Sequence, residues 1–429
     1  MSVKEGIAGK IAQAFLESKL SLLLMLVFLA VGIYSTFLIP REEEPQIDVP
    51  MADIFVHYPG ASPTEVESRV SQPLEKILSN IPGVEHIYST SMSEQSMLIV
   101  QFYVGEDVER SLVKLYDQLY KNLDLMPKGV SMPLVKSRSI DDVPVLGLTL
   151  WSENYDDFAL RKMTIELQRE IEKTKDVSTT KIIGGRSRQL KIIPDASKML
   201  SAKVDLSTIA RSVRSANQQE LSGTSISSDR EFVISSGTFI SSAEELEQLV
   251  IGSDNGQPIY LKQVARIEIG PEAARSYTGF SYGAAHELQP RFSEEYPAIT
   301  LSIAKRKGAD AMQLADKILA KTEQLQQHLI PNDVKVEVTR NYGATASQKV
   351  SELLMHLIVA IIAVTIVVML AMGWRGGLVV FLSVPVTFAL TLLSYYLLDY
   401  TLNRITLFAL VFVTGIVVDD SIIIAENMH

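Results

Sequence analysis

Two adjacent carboxylates, Asp419 and Asp420, stand in a stretch that is otherwise apolar, GIVVDDSIII. An ionised aspartate costs about 2.5–3.5 kcal/mol at the centre of a bilayer, even on a lenient insertion scale. Apolar surroundings and a neighbouring like charge both favour the protonated form of a carboxyl group. A pair held between the charged and the neutral form can bind and release protons. We therefore predict that Asp419 and Asp420 carry protons.

Two other interpretations of this pair stay open at the level of sequence. In the first, the end of the chain is not a membrane helix. In the second, the pair is inert and neutralised by a partner. Acids inside a membrane are usually functional, which favours the proton-carrying interpretation. The apolar parts of the chain hold no lysine or arginine, so a counter-charge must come from elsewhere.

The proton-carrying interpretation requires a membrane helix. Four apolar segments of the chain have about 20 residues each, the length that crosses the hydrocarbon core of a bilayer. The first, residues 20–40, is longer than the core of a signal peptide and no A-x-A cleavage pattern follows it, so an uncleaved helix is favoured. In the last segment Asp419 lies about 25 Å from a helix start near Leu402, inside the bilayer. The other three segments are residues 353–372, 378–398 and 405–425.

The charges that flank these segments predict an orientation. Three lysines lie within residues 1–19, so this amphipathic N-terminus is predicted to be cytoplasmic. Residues 4–18 are predicted to form a short amphipathic helix on the inner membrane surface. The chain then crosses outward, and residues 41–350 lie outside the cytoplasm. Glu42–Glu44 are predicted to form a solvated acidic collar, a run of exposed carboxylates at the outer membrane surface. Arg375, in the turn between the second and third segments, returns to the cytoplasmic side.

The region between the first two apolar segments alternates strand and helix patterns. From Ala52 onward the order is strand–helix–strand–strand–helix–strand, that of a ferredoxin-like split βαβ unit. Its first helix begins with a capping box from Ser62 to Glu65. The same order starts again at Val145 and resumes only at Ala298, after a long insertion. These patterns predict two α+β units, the second of them interrupted.

Composition excludes several classes of function. The net charge is −10 without a basic block, which argues against a nucleic-acid partner. Cysteine is absent and the 6 histidines show no metal-binding spacing, so we expect no metal site. Glycine-rich phosphate loops, nucleophile elbows and zinc-protease helices are missing from the sequence. We therefore expect neither an enzyme nor a bound cofactor.

The stretch from Gly415 to Asn427, GIVVDDSIIIAEN, resembles the fourth transmembrane helix of the resistance–nodulation–division exporters. Three shorter motifs resemble the same family: YPGASPTEVE at Tyr58, IPGV at Ile81 and SVPV at Ser383. The resemblance covers essentially the whole chain. It implies a multi-spanning α-helical membrane protein with a large periplasmic α+β domain, built from ferredoxin-like porter repeats and an inserted docking subdomain.

The resemblance also implies how the periplasmic region is divided. It makes residues 41–135 the first porter subdomain, and residues 136–185 with 273–340 the second. Residues 186–272 become the docking subdomain, whose hairpin enters a neighbouring protomer. Family members have two such halves, twelve helices and a trimeric assembly. We therefore expect this chain to be the N-terminal part of a longer protein.

In the family, tandem aspartates form the proton relay and pair with a lysine in the second half. Asp419 and Asp420 match that motif. The resemblance thus implies proton/substrate antiport, without a cofactor, across the inner membrane of a Gram-negative bacterium. The implied partners are two further copies of the protein in a homotrimer, a periplasmic adaptor protein, an outer-membrane channel and the lipid bilayer.

The tandem pair also bears on the substrate, because heavy-metal exporters of the superfamily usually lack it. We therefore favour organic, hydrophobic or amphiphilic compounds. The phenylalanine-rich drug pocket of multidrug members corresponds here to aliphatic residues such as Val143 and Ile183, which become the predicted substrate contacts. The alternatives are a heavy-metal or lipid exporter of the same superfamily, or a membrane-anchored periplasmic assembly module that transports nothing.

Overall fold

The first described element is an apolar helix, α1, spanning Leu20–Leu38. It ends slightly before the predicted limit at residue 40, because a proline disfavours helical geometry in the residue before it. The predicted surface helix in residues 1–19 lies outside the described residues. The computed structural model describes residues 20–427, apart from 44, 46–48, 228–229, 255, 290–291 and 293.

A four-stranded antiparallel sheet with two helices on one face follows α1. Its strand order is β2-β3-β1-β4. The predicted capping box is present, with the Ser62 hydroxyl accepting from the Glu65 N–H and the Glu65 carboxylate accepting from the Ser62 N–H. The last strand pairs with β1 and extends past position 135. The elements are β1 Met51–His57, α2 in three stretches Pro63–Val66, Glu67–Ser71 and Gln72–Leu78, β2 Val84–Met92, β3 Gln95–Phe102, α3 Val108–Lys121 and β4 Leu134–Arg138.

The second α/β unit begins with the same strand–helix–strand order and is then interrupted. The interruption carries a small core of its own, centred on Ile209, Leu246 and Leu261. The elements before it are β5 Pro144–Ser152, α4 Asp157–Glu172 and β6 Val177–Ile183. Those of the insertion are β7 Arg188–Pro194, α5 Ala196–Ser201, α6 Leu206–Ala216, β8 Glu220–Ser227, β9 Arg230–Ser236, α7 Ala243–Glu247, β10 Val250–Asp254, β11 Gln257–Tyr260, α8 Leu261–Val264 and β12 Ala265–Pro271.

The second unit resumes after the insertion and closes a sheet like the first. β14 lies between β6 and β5, and β15 pairs with the other edge of β5. The resulting order, β6-β14-β5-β15, repeats β2-β3-β1-β4 of the first unit. Leu148, Leu160 and Ile318 belong to the core between this sheet and its helices. The elements are β13 Gly279–Phe280, β14 Tyr296–Lys305, α9 Ala311–Leu329 and β15 Val334–Asn341.

Two long apolar helices complete the described chain, α10 Tyr342–Leu397 and α11 Arg404–Asn427. A straight α10 would measure about 84 Å, far more than a hydrocarbon core of about 30 Å. It is broken at Gly373, whose φ of 82° and ψ of 173° are not helical. A Cβ at Gly377 would lie 2.8 Å from the Cβ of Met369, so the chain reverses there. α10 is therefore a helical hairpin, and its turn is tighter than the five-residue loop the sequence predicts.

The apolar helices pack on one another through small residues. A Cβ at Gly32 of α1 would lie 2.3 Å from the carbonyl oxygen of Ala389 in α10, so the two backbones are in direct contact. Within the described residues, α1, α10 and the Arg404–Ile424 part of α11 are long and apolar enough to cross a bilayer. With the reversal at Gly373, these helices contain the four apolar segments that the sequence predicts.

The prediction of a solvated acidic collar after α1 is wrong for Glu42. Its side chain is 3% exposed, and a carboxylate oxygen lies 2.5 Å from the Lys305 Nζ at the end of β14. The local sequence gives no sign of this partner, which is 263 residues away. Burial of Glu42 follows from the meeting of α1 with the second α/β unit.

Candidate functional site

The two candidate proton carriers lie deep in α11. Asp419 is fifteen residues from the helix start at Arg404, which places it about 22 Å along the axis. Val418 and Ser421 are buried, whereas Asp419 and Asp420 are exposed in this chain. Successive helical residues point about 100° apart, so one face of α11 packs on the hairpin and the acidic pair points away from it.

A pair of hydroxyl groups, of which that of Ser421 is buried, joins α11 to the hairpin next to the acidic residues. The Ser421 and Ser383 oxygens are 2.7 Å apart, and the Ser421 hydroxyl also donates to the Val417 carbonyl at 2.9 Å. The sequence singles out Ser383 only as part of a family motif and does not indicate this contact. The pair fixes the register of α11 against α10, one residue from Asp420.

No basic side chain in the described helices lies level with the acidic pair. Between Glu352 and Asn427 the only arginines are Arg375 and Arg404, and there is no lysine. Arg375 precedes Ser383 by eight residues, or about 12 Å along the axis, and Arg404 is farther away. The described residues also contain no group of three His, Asp or Glu side chains that could hold a metal ion. Carboxyl groups placed in an apolar helix can bind and release protons.

The two predicted substrate contacts do not share one site in this chain. Val143 immediately precedes β5, whereas Ile183 ends β6 and pairs with Thr300 of β14. The β14 partner of Pro144 is Ala304, so the two residues lie at different levels on opposite sides of β14. Strand geometry places them roughly 15–20 Å apart. Both side chains are partly exposed, at 40% and 43%, so each is accessible on its own.

A charged clamp holds the insertion onto the second unit. The Arg186 guanidinium donates to Asp157 at 2.6 Å, and the Arg186 N–H donates to the same carboxylate at 3.0 Å. Hydrogen bonding from Arg186 lowers the pKa of Asp157 below its usual 3.8, although partial burial opposes the shift. At the end of the insertion, the Glu272 carboxylate accepts a hydrogen bond from the Ser187 N–H at 3.0 Å, and this bond lowers the pKa of Glu272.

The chain is 28% identical over 413 residues to the multidrug resistance protein MdtC of Yersinia enterocolitica, and the match covers 95% of this chain and 39% of that protein. The MdtC proteins of Yersinia pseudotuberculosis and Yersinia pestis are 27% identical over 409 residues, with the same coverage. The chain thus spans about two fifths of the length of these relatives. Residues 11–429 match the AcrB/AcrD/AcrF family profile. This chain belongs to the AcrB/AcrD/AcrF family.

Proposed function

We propose that this chain is part of a pump that exports organic, hydrophobic or amphiphilic compounds in exchange for protons. The observation that carries the proposal is the adjacent carboxylates Asp419 and Asp420 about 22 Å into an apolar helix. Relatives that cover 95% of the chain are named multidrug resistance proteins. On this proposal the chain is a secondary active transporter and not an enzyme.

The protonated and the ionised forms of the acidic pair are stable in different surroundings of α11. A protonated pair leaves the α11 span uncharged, and the helix then tolerates apolar neighbours. An ionised pair requires water or a counter-charge, so it favours another position of α11. Proton binding therefore shifts the population between two arrangements of α11 against its neighbours. Alternation between them would open and close the two α/β units to substrate.

The proposed setting is the inner membrane of a Gram-negative bacterium, with both α/β units in the periplasm. Three helices that could span a bilayer support the membrane placement. Family membership supports a homotrimer that works with a periplasmic adaptor protein and an outer-membrane channel. The exposed β8–β9 hairpin, with Phe232 and Ile226 facing solvent, would be the part that enters the neighbouring protomer.

The decisive experiment changes the carboxylates without changing their shape. The full gene would be expressed in a pump-deficient host as wild type, Asp419→Asn, Asp420→Asn and the control Asp399→Asn. Asp399 lies in the loop after α10 at a φ of 56°, a conformation that asparagine also tolerates. We expect protection against ethidium and a bile salt to disappear in the first two variants and to persist in the control.

The outcomes separate the competing functions. Loss of protection against zinc or copper salts alone would assign a metal exporter instead. Full protection by Asp419→Asn and Asp420→Asn, at wild-type expression and assembly, would show that the pair does not couple protons to transport. No phenotype in any variant, the wild type included, would favour a membrane-anchored assembly module.

A further inference from the structure

A three-residue segment after α1, Pro40–Glu42, forms backbone hydrogen bonds with the loop that leads into α11. We call it the junction segment. The Leu402 N–H donates to the Pro40 carbonyl at 2.9 Å, and the Glu42 N–H donates to the Leu402 carbonyl at 3.0 Å. Leu402 is fully buried and lies two residues before the start of α11. The junction segment therefore holds the outer end of the helix that bears the acidic pair.

The opposite edge of the junction segment binds the second α/β unit. The Arg41 N–H donates to the Asp310 carboxylate at 2.9 Å, and the Ala311 N–H donates to the Arg41 carbonyl at 3.1 Å. The other oxygen of Asp310 accepts from the Gln313 N–H at 2.8 Å and caps α9. The segment is thus held by backbone groups of Arg41 to the first turn of that helix.

The side chain of Glu42 adds a charged contact to the same unit. Its carboxylate lies 2.5 Å from the Lys305 Nζ, and the two side chains are only 3% and 11% exposed. Lys305 is the last residue of β14, the strand shared by β5 and β6. Electrostatic attraction is stronger in a poorly solvated site than in water. The ion pair therefore fixes the junction segment to the central strand of the second sheet.

These contacts form a short route between α11 and the second unit. Two backbone hydrogen bonds connect Leu402 to the segment. One backbone hydrogen bond, one hydrogen bond to the Asp310 side chain and one buried ion pair connect the segment to β14 and α9. A shift of the outer end of α11 must then either move the second unit or break these bonds. The exposed pair Lys349–Glu352 at the start of α10 makes no comparable bridge, since both side chains are about half exposed.

We propose that Glu42 and Lys305 are positioning residues that transmit the movement of α11 to the second α/β unit. The inference rests on the proposed proton-driven transport and adds the path by which protonation in the membrane reaches the substrate side. It predicts that breaking the pair uncouples the two regions while leaving each of them intact.

The test uses the full gene product reconstituted in lipid vesicles. The variants are Glu42→Gln, Lys305→Gln, the charge exchange Glu42→Lys/Lys305→Glu and the control Glu352→Gln. We expect proton-driven ethidium transport to fall about tenfold in the single variants, within the usual range of coupling between sites. Ethidium affinity and trimer assembly should stay unchanged, and the charge exchange should restore part of the transport.

A second measurement separates transmission from mere anchoring. Spin labels on α9 and in the loop after α10 report whether Asp419→Asn shifts the second unit relative to the membrane helices. We expect a shift in the wild-type background and none in the Glu42→Gln background. A structural anchor would lower the unfolding temperature in Glu42→Gln but leave the shift in place, and that result would overturn the inference.

An apolar double variant that still folds distinguishes a loss of transmission from a loss of folding. Glu42→Leu/Lys305→Met removes both charges and, as for other buried ion pairs, should retain stability. If this variant folds and transports at the wild-type rate, the pair transmits nothing. If it folds and fails to transport, the inference is supported. Normal transport by Glu42→Gln together with inactive Asp419→Asn would reject only the transmission path, whereas an active Asp419→Asn would reject the proposed function itself.

Discussion

The side chains on one face of α11 pack on the α10 hairpin, and those on the other face include the exposed acidic pair. Val418 and Ser421 are three residues apart and share the face that packs on the α10 hairpin. Asp419 and Asp420 occupy the remaining face, where the described helices do not cover them. The same helix can therefore be held by its packing face while the other face changes charge. The Ser383–Ser421 contact therefore lies directly beside the proposed proton site.

The hydroxyl pair gives a first prediction. Ser421→Ala and Ser383→Ala should each destabilise the helix contact by about 0.5–1.5 kcal/mol, the usual net value of a hydrogen bond. The double variant should cost clearly less than the sum, because either change alone removes the same Ser383–Ser421 contact. Thermal unfolding of the four proteins in detergent gives the double-mutant cycle. Additive losses would show that the two hydroxyls do not stabilise one another.

A second prediction concerns the clamp at the insertion. Asp157 has a lowered pKa in the folded state because of Arg186, so the unfolded state binds a proton more readily. The stabilisation is thus present above about pH 4 and lost as the pH falls through the folded pKa. We expect Asp157→Asn to destabilise the protein by about 1–3 kcal/mol at neutral pH. The difference from wild type should shrink in acid.

Unfolding measured at about pH 7 and about pH 3 tests this dependence on pH. The control is Asp254→Asn, whose carboxylate lies 3.5 Å from Lys203 in an exposed pair. Exposed pairs contribute little, so that variant should match wild type at both pH values. A difference for Asp157→Asn that grows on acidification would contradict the assigned role.

At the scale of elements, single glycines decide how the apolar helices fit. Gly373 takes a left-handed conformation and reverses α10, and Gly377 then passes close to Met369. Gly32 permits contact between the backbones of α1 and α10. Small residues are the usual means of close helix packing in membranes, where the hydrophobic effect does not draw helices together. The arrangement of the helices therefore depends on a few positions that lack a side chain.

The third prediction compares two glycines in two helices. Gly32→Ala puts a Cβ 2.3–2.4 Å from backbone and side-chain atoms of Ala389, so the helices must separate. We expect a loss of about 1–3 kcal/mol from overpacking, visible as a lower unfolding temperature. Gly415→Ala is the matched control, because a Cβ there meets no atom of the described chain within 4 Å. Equal stability of both variants would refute the close contact.

At the scale of the whole molecule, two sheets of the same strand order lie above the helices, and only the second is interrupted. β6 enters the insertion and β14 follows it, yet the two strands pair directly. Closure of the insertion by the β7–β12 pair brings its two ends together. The second sheet therefore keeps the connectivity of the first, and the insertion is added at one edge without disturbing the core.

The separation of Val143 from Ile183 gives the fourth prediction. Residues more than about 7–10 Å apart and without shared partners usually have additive effects. We therefore expect Val143→Phe and Ile183→Phe to change ethidium transport independently, with the double variant within about 0.5 kcal/mol of the sum. Transport rates over a range of ethidium concentrations measure this. Strong non-additivity would place the two residues in one pocket.

Local features of this protein can be predicted from its amino-acid sequence. Apolar length located the membrane-spanning candidates, and the cost of burying charge singled out Asp419 and Asp420. Strand and helix periodicity predicted the order of elements in both units, and the capping box at Ser62 is present as predicted. These features follow from the sequence because each depends on residues that are neighbours along the chain.

Contacts between residues far apart in the chain are visible only in the folded structure. The sequence predicts a solvated Glu42, whereas its buried partner Lys305 is 263 positions away. The pairing of Ser383 with Ser421 and the separation of Val143 from Ile183 depend on helix packing and strand register. Hydrophobic periodicity specifies which face of an element is buried, but it does not specify the element that covers it. The packing of the whole chain determines which element covers each face. It also forms the junction between the membrane helices and the second unit.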